Sequence, residues 1–325
     1  MAHDAMPSSA GRLAPPVAAR ITQRTVMLSV ATASLLILIK AWAWMASGSV
    51  SILASLADSG LDLAASLFTL GAVSYAAAPP DQKHRFGHGK AEGFAALMQA
   101  VLVGASATFI AIEAIDRFRN PRPVMEGGLG IAVMIISILL TLGLIYFQTR
   151  ALRQTGSVAT AGDRAHYAAD LAANMAVIVG VIASSYLGLP IADPVIGLAI
   201  ALWLAWGAFG VAREAADQLM DKELSEADRE RIKRLARGDE RMIDVHQLRT
   251  RASGPIIHIQ FHLDMPRELS LVEAHQLMVA CENRILEEFP GADILIHPDP
   301  RGSQPHGGDF FAENYKAEPE ASAVG

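Results

Sequence analysis

At 325 residues, 52% of them hydrophobic and 18% charged, the chain is too apolar in its first two-thirds for a soluble α/β enzyme and too charged behind for a membrane protein throughout. A formal net charge of −6 without a basic stripe excludes nucleic acid as a partner. The single cysteine, Cys281, excludes an intrachain disulfide framework and any multi-cysteine zinc knuckle, and reads as an inert thiol on a soluble helix.

Residues 1–24 are small, polar and proline-bearing with no compact apolar run, and are expected to form a disordered leader rather than a cleaved signal. Residues 25–212 follow as a transmembrane domain. Its six apolar segments, Val26–Ser47, Ile52–Tyr75, Lys90–Phe118, Gly128–Arg150, Asp163–Tyr186 and Pro194–Ala212, are long enough to cross a bilayer, which takes about 20 residues. Breakers such as SGS, AAAPPDQ and QTGSVATAGD separate them. Lys and Arg in the leader and in the second and fourth connections place both termini in the cytoplasm, against the dissent of Arg117, Arg119 and Arg122 in one opposite loop. A linker is expected over 213–223 and a soluble domain over 224–301. In that domain Leu224–Arg237 reads as a helix, Ile243–Arg251 and Ile256–Asp264 as strands, Ser270–Phe289 as a helix and Asp293–His297 as a last strand. The order αββαβ makes a small open sheet with helices on one face. The tail over 302–325 is expected to be unstructured.

Two pairs of metal-liking residues lie inside the apolar segments: Asp58 with Asp62, and His166 with Asp170. A spacing of four puts both members of each pair on one helix face. An ionisable group at bilayer depth costs roughly 2.5–3.5 kcal/mol even on the lenient insertion scale, so such groups line pathways. Three carboxylates and one imidazole match a tetrahedral zinc site, whereas magnesium or calcium favours more oxygen ligands. The alternative, that each pair only hydrogen-bonds between helices, leaves two separate costs unexplained. Asn174 shares the face of Asp170 as a support or as packing. Emptied of metal, three carboxylates in low dielectric favour proton uptake, while metal binding requires deprotonated ligands and expels protons. A site that holds either, exposed to each side in turn, is an antiporter.

Two further clusters lie outside the spans. Asp81, His84 and His88, at spacings of three and four in PPDQKHRFGHGKAE, can grip one ion, although histidines at a membrane mouth also occur as solvated or capping groups. In the soluble domain His246, His258, His262, His275, His297 and Asp299 supply a carboxylate–imidazole set for one or two zinc ions, the alternative being unrelated surface histidines. A membrane zinc hydrolase would need an HExxH helix, which is absent, and a metal receptor would need no carboxylates at bilayer depth.

From about Val26 to Pro300 these residues resemble the cation diffusion facilitator family, within it the bacterial zinc and ferrous-iron efflux pumps, through GSVSILASLADSGLDLAAS, HRFGHGKAE, HYAAD, HQLRTRASGP and IHPDP in that order. The resemblance implies no enzyme but a homodimeric, proton-coupled zinc exporter of an inner membrane, with a six-helix bundle and a cytoplasmic metallochaperone-like αββαβ domain. It implies that Asp58, Asp62, His166 and Asp170 form the transport site, and that Asp81, His84 and His88 form a loop site. It further implies a binuclear regulatory site of His246, His262, His275, His297 and Asp299 at the dimer interface, and an interlock involving Lys90 and Asp221, whose alternative is ordinary interfacial charge. His258 matches no family ligand, and Pro298 stands where close relatives carry glutamine. The retained His166 favours Zn2+ as substrate, with Cd2+ or Fe2+ as further candidates.

Overall fold

The computed structural model describes residues 10–119, 128–187 and 191–302. Two compact units emerge, one running from Pro16 to Met220 and the other from Asp221 onward together with the residues before Pro16.

The first unit is helical: α1 Pro15–Ser47, α2 Val50–Ala76, α3 Ala91–Arg119, α4 Gly128–Thr155, α5 Val158–Leu187 and α6 Ala192–Leu219. Their lengths, 27 to 33 residues, give roughly 40–50 Å at 1.5 Å per residue, more than a hydrocarbon core of about 30 Å. Among the described residues, five segments within α1, α2, α3, α4 and α6 are long and apolar enough to cross a membrane. Leu38, Trp42, Leu61, Phe109, Leu202 and Trp206 are exposed, while Lys40, Asp62, Gln99, Gln148 and Asp163 are buried. Apolar outside and polar inside is the arrangement lipid demands. Breaks fall where turn chemistry allows. Gly48, at φ 63°, follows α1 and donates its N–H to the Trp44 carbonyl at 2.7 Å, a left-handed C-terminal cap that a Cβ would disfavour.

Small residues set the packing. α3 lies against α5 and α6, α2 against α3, and α4 against α5. A Cβ at Gly162 of α5 would stand 3.0 Å from the Ala96 Cα and 3.1 Å from the Gln99 Cβ of α3. Those two helices therefore meet backbone to backbone, as small residues permit in bilayers.

The second unit contains α7 Glu226–Ala236, β1 Asp244–Ser253, β2 Ile256–Met265, α8 Leu271–Glu288 and β3 Ala292–Pro300. Strand order is β1-β2-β3, with β1–β2 antiparallel and β2–β3 parallel. Alternation along β2 decides its faces: Ile257, Ile259, Phe261 and Leu263 are buried in a core shared with Ile232, Leu277, Cys281, Ile285 and Phe289. His258, Gln260, His262 and Asp264 take the other face. Ser225 caps α7, and Ser270 with Glu273 forms a reciprocal capping box on α8.

Two sequence expectations are corrected. The leader over 1–24 is not disordered throughout: α1 begins at Pro15, because prolines suit a first helical turn and a helix extends past the lipid-matched stretch that hydropathy detects. Residues just before it dock on the second unit. Gly11 accepts the Gly291 N–H at 3.0 Å, and Arg12 bonds Glu288 at 2.5 Å and Asp228 at 2.6 Å with its guanidinium over the Phe289 ring. The linker expected over 213–223 is helical as far as Leu219, and Asp221 at φ 59° turns the chain afterwards. Residues 1–9 of the leader, the opposite loop's Arg122, and the tail beyond 302 lie outside the described residues.

Candidate functional site

The interior of the helical unit gathers polar groups along two stripes. On α2, Ser55, Asp58, Ser59, Asp62, Ser66 and Thr69 recur at three- and four-residue spacing; on α5, Asp163, His166, Tyr167, Asp170 and Asn174 do the same. Where the stripes meet, His166 Nε2 lies 3.0 Å from Asp62 Oδ1 and 3.7 Å from Asp170 Oδ2. One donor atom from each of these three residues falls within 4.8 Å of the others, a separation one ion can close. Asp62 and His166 are buried, and the buried Asp170 Oδ2 has no hydrogen-bond partner. Such an oxygen is costly to leave bare, so the geometry suits an arriving cation.

Asp58 differs from its three expected companions. It is exposed and stands outside that close group, yet it lines the same cavity of about 70 Å³ as Asp62, Asp170, Tyr167 and Asn174. The structure thus gathers three of the four expected donors and sets the fourth on the cavity wall.

Sequence reasoning missed three neighbours. Lys40 of α1, buried, lines the same cavity and donates to Ser59 Oγ at 2.6 Å and to the Ser55 carbonyl at 3.1 Å. Tyr167 donates to the Ser29 carbonyl at 3.2 Å and accepts from Ser66 at 2.9 Å, fixing α5 against α1 and α2 one residue from His166. Asp163, a turn before His166, accepts from Ser29 at 2.6 Å and Gln148 at 2.9 Å. A lone lysine within an apolar run was the available signal for Lys40, whereas Asp163 stands at a segment boundary beside Arg164, where nothing marks it.

The loop cluster is also assembled. Asp81 Oδ1 accepts the backbone N–H of His84 at 2.7 Å and of Lys83 at 2.8 Å, an Asx turn. Those two donors, His84's first, hold the Asp81 carboxyl below the usual range. The His84 and His88 rings lie 4.7 Å apart, and His88 Nε2 lies 3.4 Å from Asp81 Oδ2. Contact of His88 Nδ1 with the Ala78 carbonyl at 3.4 Å leaves its Nε2 lone pair for an ion.

In the second unit, strand register does the gathering. His246 pairs with His262 across β1–β2 and His262 with His297 across β2–β3, a row of three imidazoles. Asp299 Oδ2 lies 2.8 Å from His262 Nδ1 and 3.5 Å from His246 Nε2, and Asp299 Oδ1 lies 3.2 Å from His297 Nε2. His246, His262 and Asp299 form a group tight enough for one ion, with Asp264, unexpected from sequence, 3.3 Å from His246. This imidazole–carboxylate set fits zinc and its neighbours. His275 is exposed on α8, outside that group. His258 sits apart as well, 3.0 Å from its cross-strand partner Asp293. Lys90 donates to the Leu219 carbonyl at 3.2 Å, and Asp221 takes Arg251 at 3.0 Å.

Comparison with known proteins matches this architecture. Residues 26–220 match the family model for the cation efflux transmembrane domain, and residues 224–301 that for the cytoplasmic domain of cation efflux proteins, ZT_dimer. The chain is 40% identical over 290 residues to the cation-efflux pump FieF of Yersinia enterocolitica, covering 89% of this chain and 96% of that one. FieF of Salmonella typhimurium is 39% identical over 292 residues, 90% of this chain and 97% of that one. A solved zinc form of CzrB, described as a zinc transporter, is 34% identical, covers 27% of this chain and all of its own, and has a TM-score of 0.24, too low to carry an argument. The chain therefore belongs to the cation efflux family, as a multi-span membrane transporter of metal cations, not an enzyme, with a cytoplasmic domain of the dimerisation type.

Proposed function

We propose that this transporter exports zinc across an inner membrane in exchange for protons, both termini lying in the cytoplasm. Asp62, His166 and Asp170 hold the cargo, and Asp58 closes the fourth coordination position from the cavity wall. The observation that carries this reading is the meeting of one imidazole and two carboxylates between α2 and α5, with a third carboxylate on the same cavity. Imidazole among oxygens favours zinc over the harder dications, and leaves cadmium and ferrous iron as further cargo. Exchange follows from charge: the metal enters only deprotonated ligands, and the emptied carboxylates take protons back. Alternation requires the helices to rock around the site, which the close α3–α5 contact at Gly162 suits.

The loop set Asp81, His84 and His88 binds a second ion. The row His246, His262, His297 and Asp299 binds regulatory metal, and His275 would complete it across the interface of a homodimer, where Lys90 and Asp221 act as an interlock. Reconstituted vesicles under an imposed pH gradient test the coupling. Zinc should move against the proton flux and stop in Asp62→Asn; zinc flux indifferent to the gradient would overturn the exchange.

A further inference from the structure

Lys40 stands in an unusual place. It is 6% exposed, on a helix that supplies none of the proposed metal ligands. Its ammonium is anchored on the polar stripe of α2, at Ser59 Oγ (2.6 Å) and the Ser55 carbonyl (3.1 Å). Ser59 follows Asp58 directly and precedes Asp62 by three residues, so the anchor lies within about one helical turn, roughly 5.4 Å of rise, of both carboxylates. Lys40 also lines two neighbouring cavities. One, of about 70 Å³, holds Asp58, Asp62 and Asp170; the other, of about 60 Å³, is walled by Ile52, Gly130, Val133 and Met134 near the first turns of α2 and α4. Lys40, Ser55, Ser137 and Asn174 belong to both. The ammonium therefore stands at the junction between the carboxylate cavity and its continuation.

A buried cation without ion-pair geometry is expensive in a membrane interior unless nearby charge stabilises it. Here three carboxylates of one cavity supply that charge, and they are the groups that a dication would claim. Metal and ammonium cannot both be fully stabilised by them. A flexible four-carbon stem with a compact charge suits such competition, since Lys repositions where Arg holds a rigid fork.

We propose that Lys40 is a tethered competitor of the transported dication: an internal cation that weakens metal binding at Asp58, Asp62 and Asp170 and thereby promotes release. Resting at Ser59 and Ser55, it raises the electrostatic cost of a bound dication; as the metal leaves, it moves towards the carboxylates and takes over part of its charge balance. The inference rests on the transport-site reading above.

The test uses the full chain carrying His88→Ala and His262→Ala, so that zinc titration reads the transport site, with uptake kinetics from the same vesicles. Lys40→Gln should bind zinc at least tenfold more tightly at fixed pH, with KM and kcat both falling, because the ion is held and released slowly. Lys40→Arg, which keeps the charge but not the mobility, should hold zinc affinity near the wild-type value while turnover falls; an affinity as tight as that of Lys40→Gln would overturn the proposal. Ser59→Ala, which removes the shorter of the two anchoring bonds and leaves only the Ser55 carbonyl, should weaken zinc binding instead. Damage to the fold cannot produce tighter binding, so the sign separates charge competition from a structural role. Unchanged or weaker affinity in Lys40→Gln overturns the proposal, as does a fall in kcat without a fall in KM. An Asp62→Asn arm keeps the two readings distinct. If it abolishes binding while Lys40→Gln changes nothing, the competitor alone is wrong; if it leaves binding intact, the transport site itself is misplaced and the competitor falls with it.

Discussion

Arg12→Met isolates the contact that ties the segment before α1 to the soluble unit. The methionine keeps apolar cover over Phe289 but removes the guanidinium that bonds Asp228 at 2.6 Å and Glu288 at 2.5 Å. Glu288 retains Arg231 at 2.6 Å, so its loss is small. Asp228 is the costly partner: its side chain is 1% exposed, and it keeps the hydroxyl of Ser225 at 2.7 Å. Breaking a buried pair typically costs about 3–5 kcal/mol. Arg12 is itself 26% exposed, which screens part of its interaction, so about 2–3 kcal/mol is expected once the remaining Ser225 bond is counted. The Gly291 N–H, bonded to the Gly11 carbonyl at 3.0 Å, reports the docking directly. Its hydrogen exchange should accelerate about 30- to 150-fold, at 1.4 kcal/mol per tenfold. Adding Asp228→Asn should recover part of the loss, since the two sites are coupled. A change below about threefold in Arg12→Met, or strict additivity in the double variant, would refute the reasoning.

His166→Asp replaces the one nitrogen donor of the transport site with oxygen, so zinc transport should fall at least tenfold while manganese competes better, read by paired uptake in one vesicle preparation. At the loop, the lowered Asp81 carboxyl contributes its ionised form at neutral pH and loses it only on acidification through that lowered value. His84→Gln should therefore weaken cobalt binding at the loop, while the Asp81 carboxylate infrared band stays unchanged between pH 7 and 5; protonation of Asp81 in that window would contradict the assignment. Cys281, buried beneath Ala236 with burial pushing its thiol up to about 11, should resist maleimide until the soluble domain unfolds.

The soluble domain was the most legible part, because its chemistry follows periods of two and 3.6. Alternation along Ile256–Asp264 separated core residues from imidazoles, and the row His246–His262–His297 needed only the register that the ASGP turn and parallel β3 impose. Helix ends were less legible: hydropathy registers lipid contact, so α1 was expected to start eleven residues after Pro15, its observed first residue. Partners far apart in sequence were hidden altogether. Asp163 meets Ser29 and Gln148 from two other helices, Lys40 meets Ser59, and no spacing rule links residues on different helices. Asp58 shows the opposite limit. Its spacing from Asp62 fixed a common face, but whether both carboxylates reach one ion depends on how α2 turns towards α5.

The most direct test is to load the protein with zinc and locate it by anomalous scattering at the zinc edge. The account predicts a peak between α2 and α5, with one nitrogen and carboxylate oxygens at about 2.0–2.2 Å, lost in Asp62→Asn. Zinc found only at the loop and the soluble domain, with none beside His166, would contradict it.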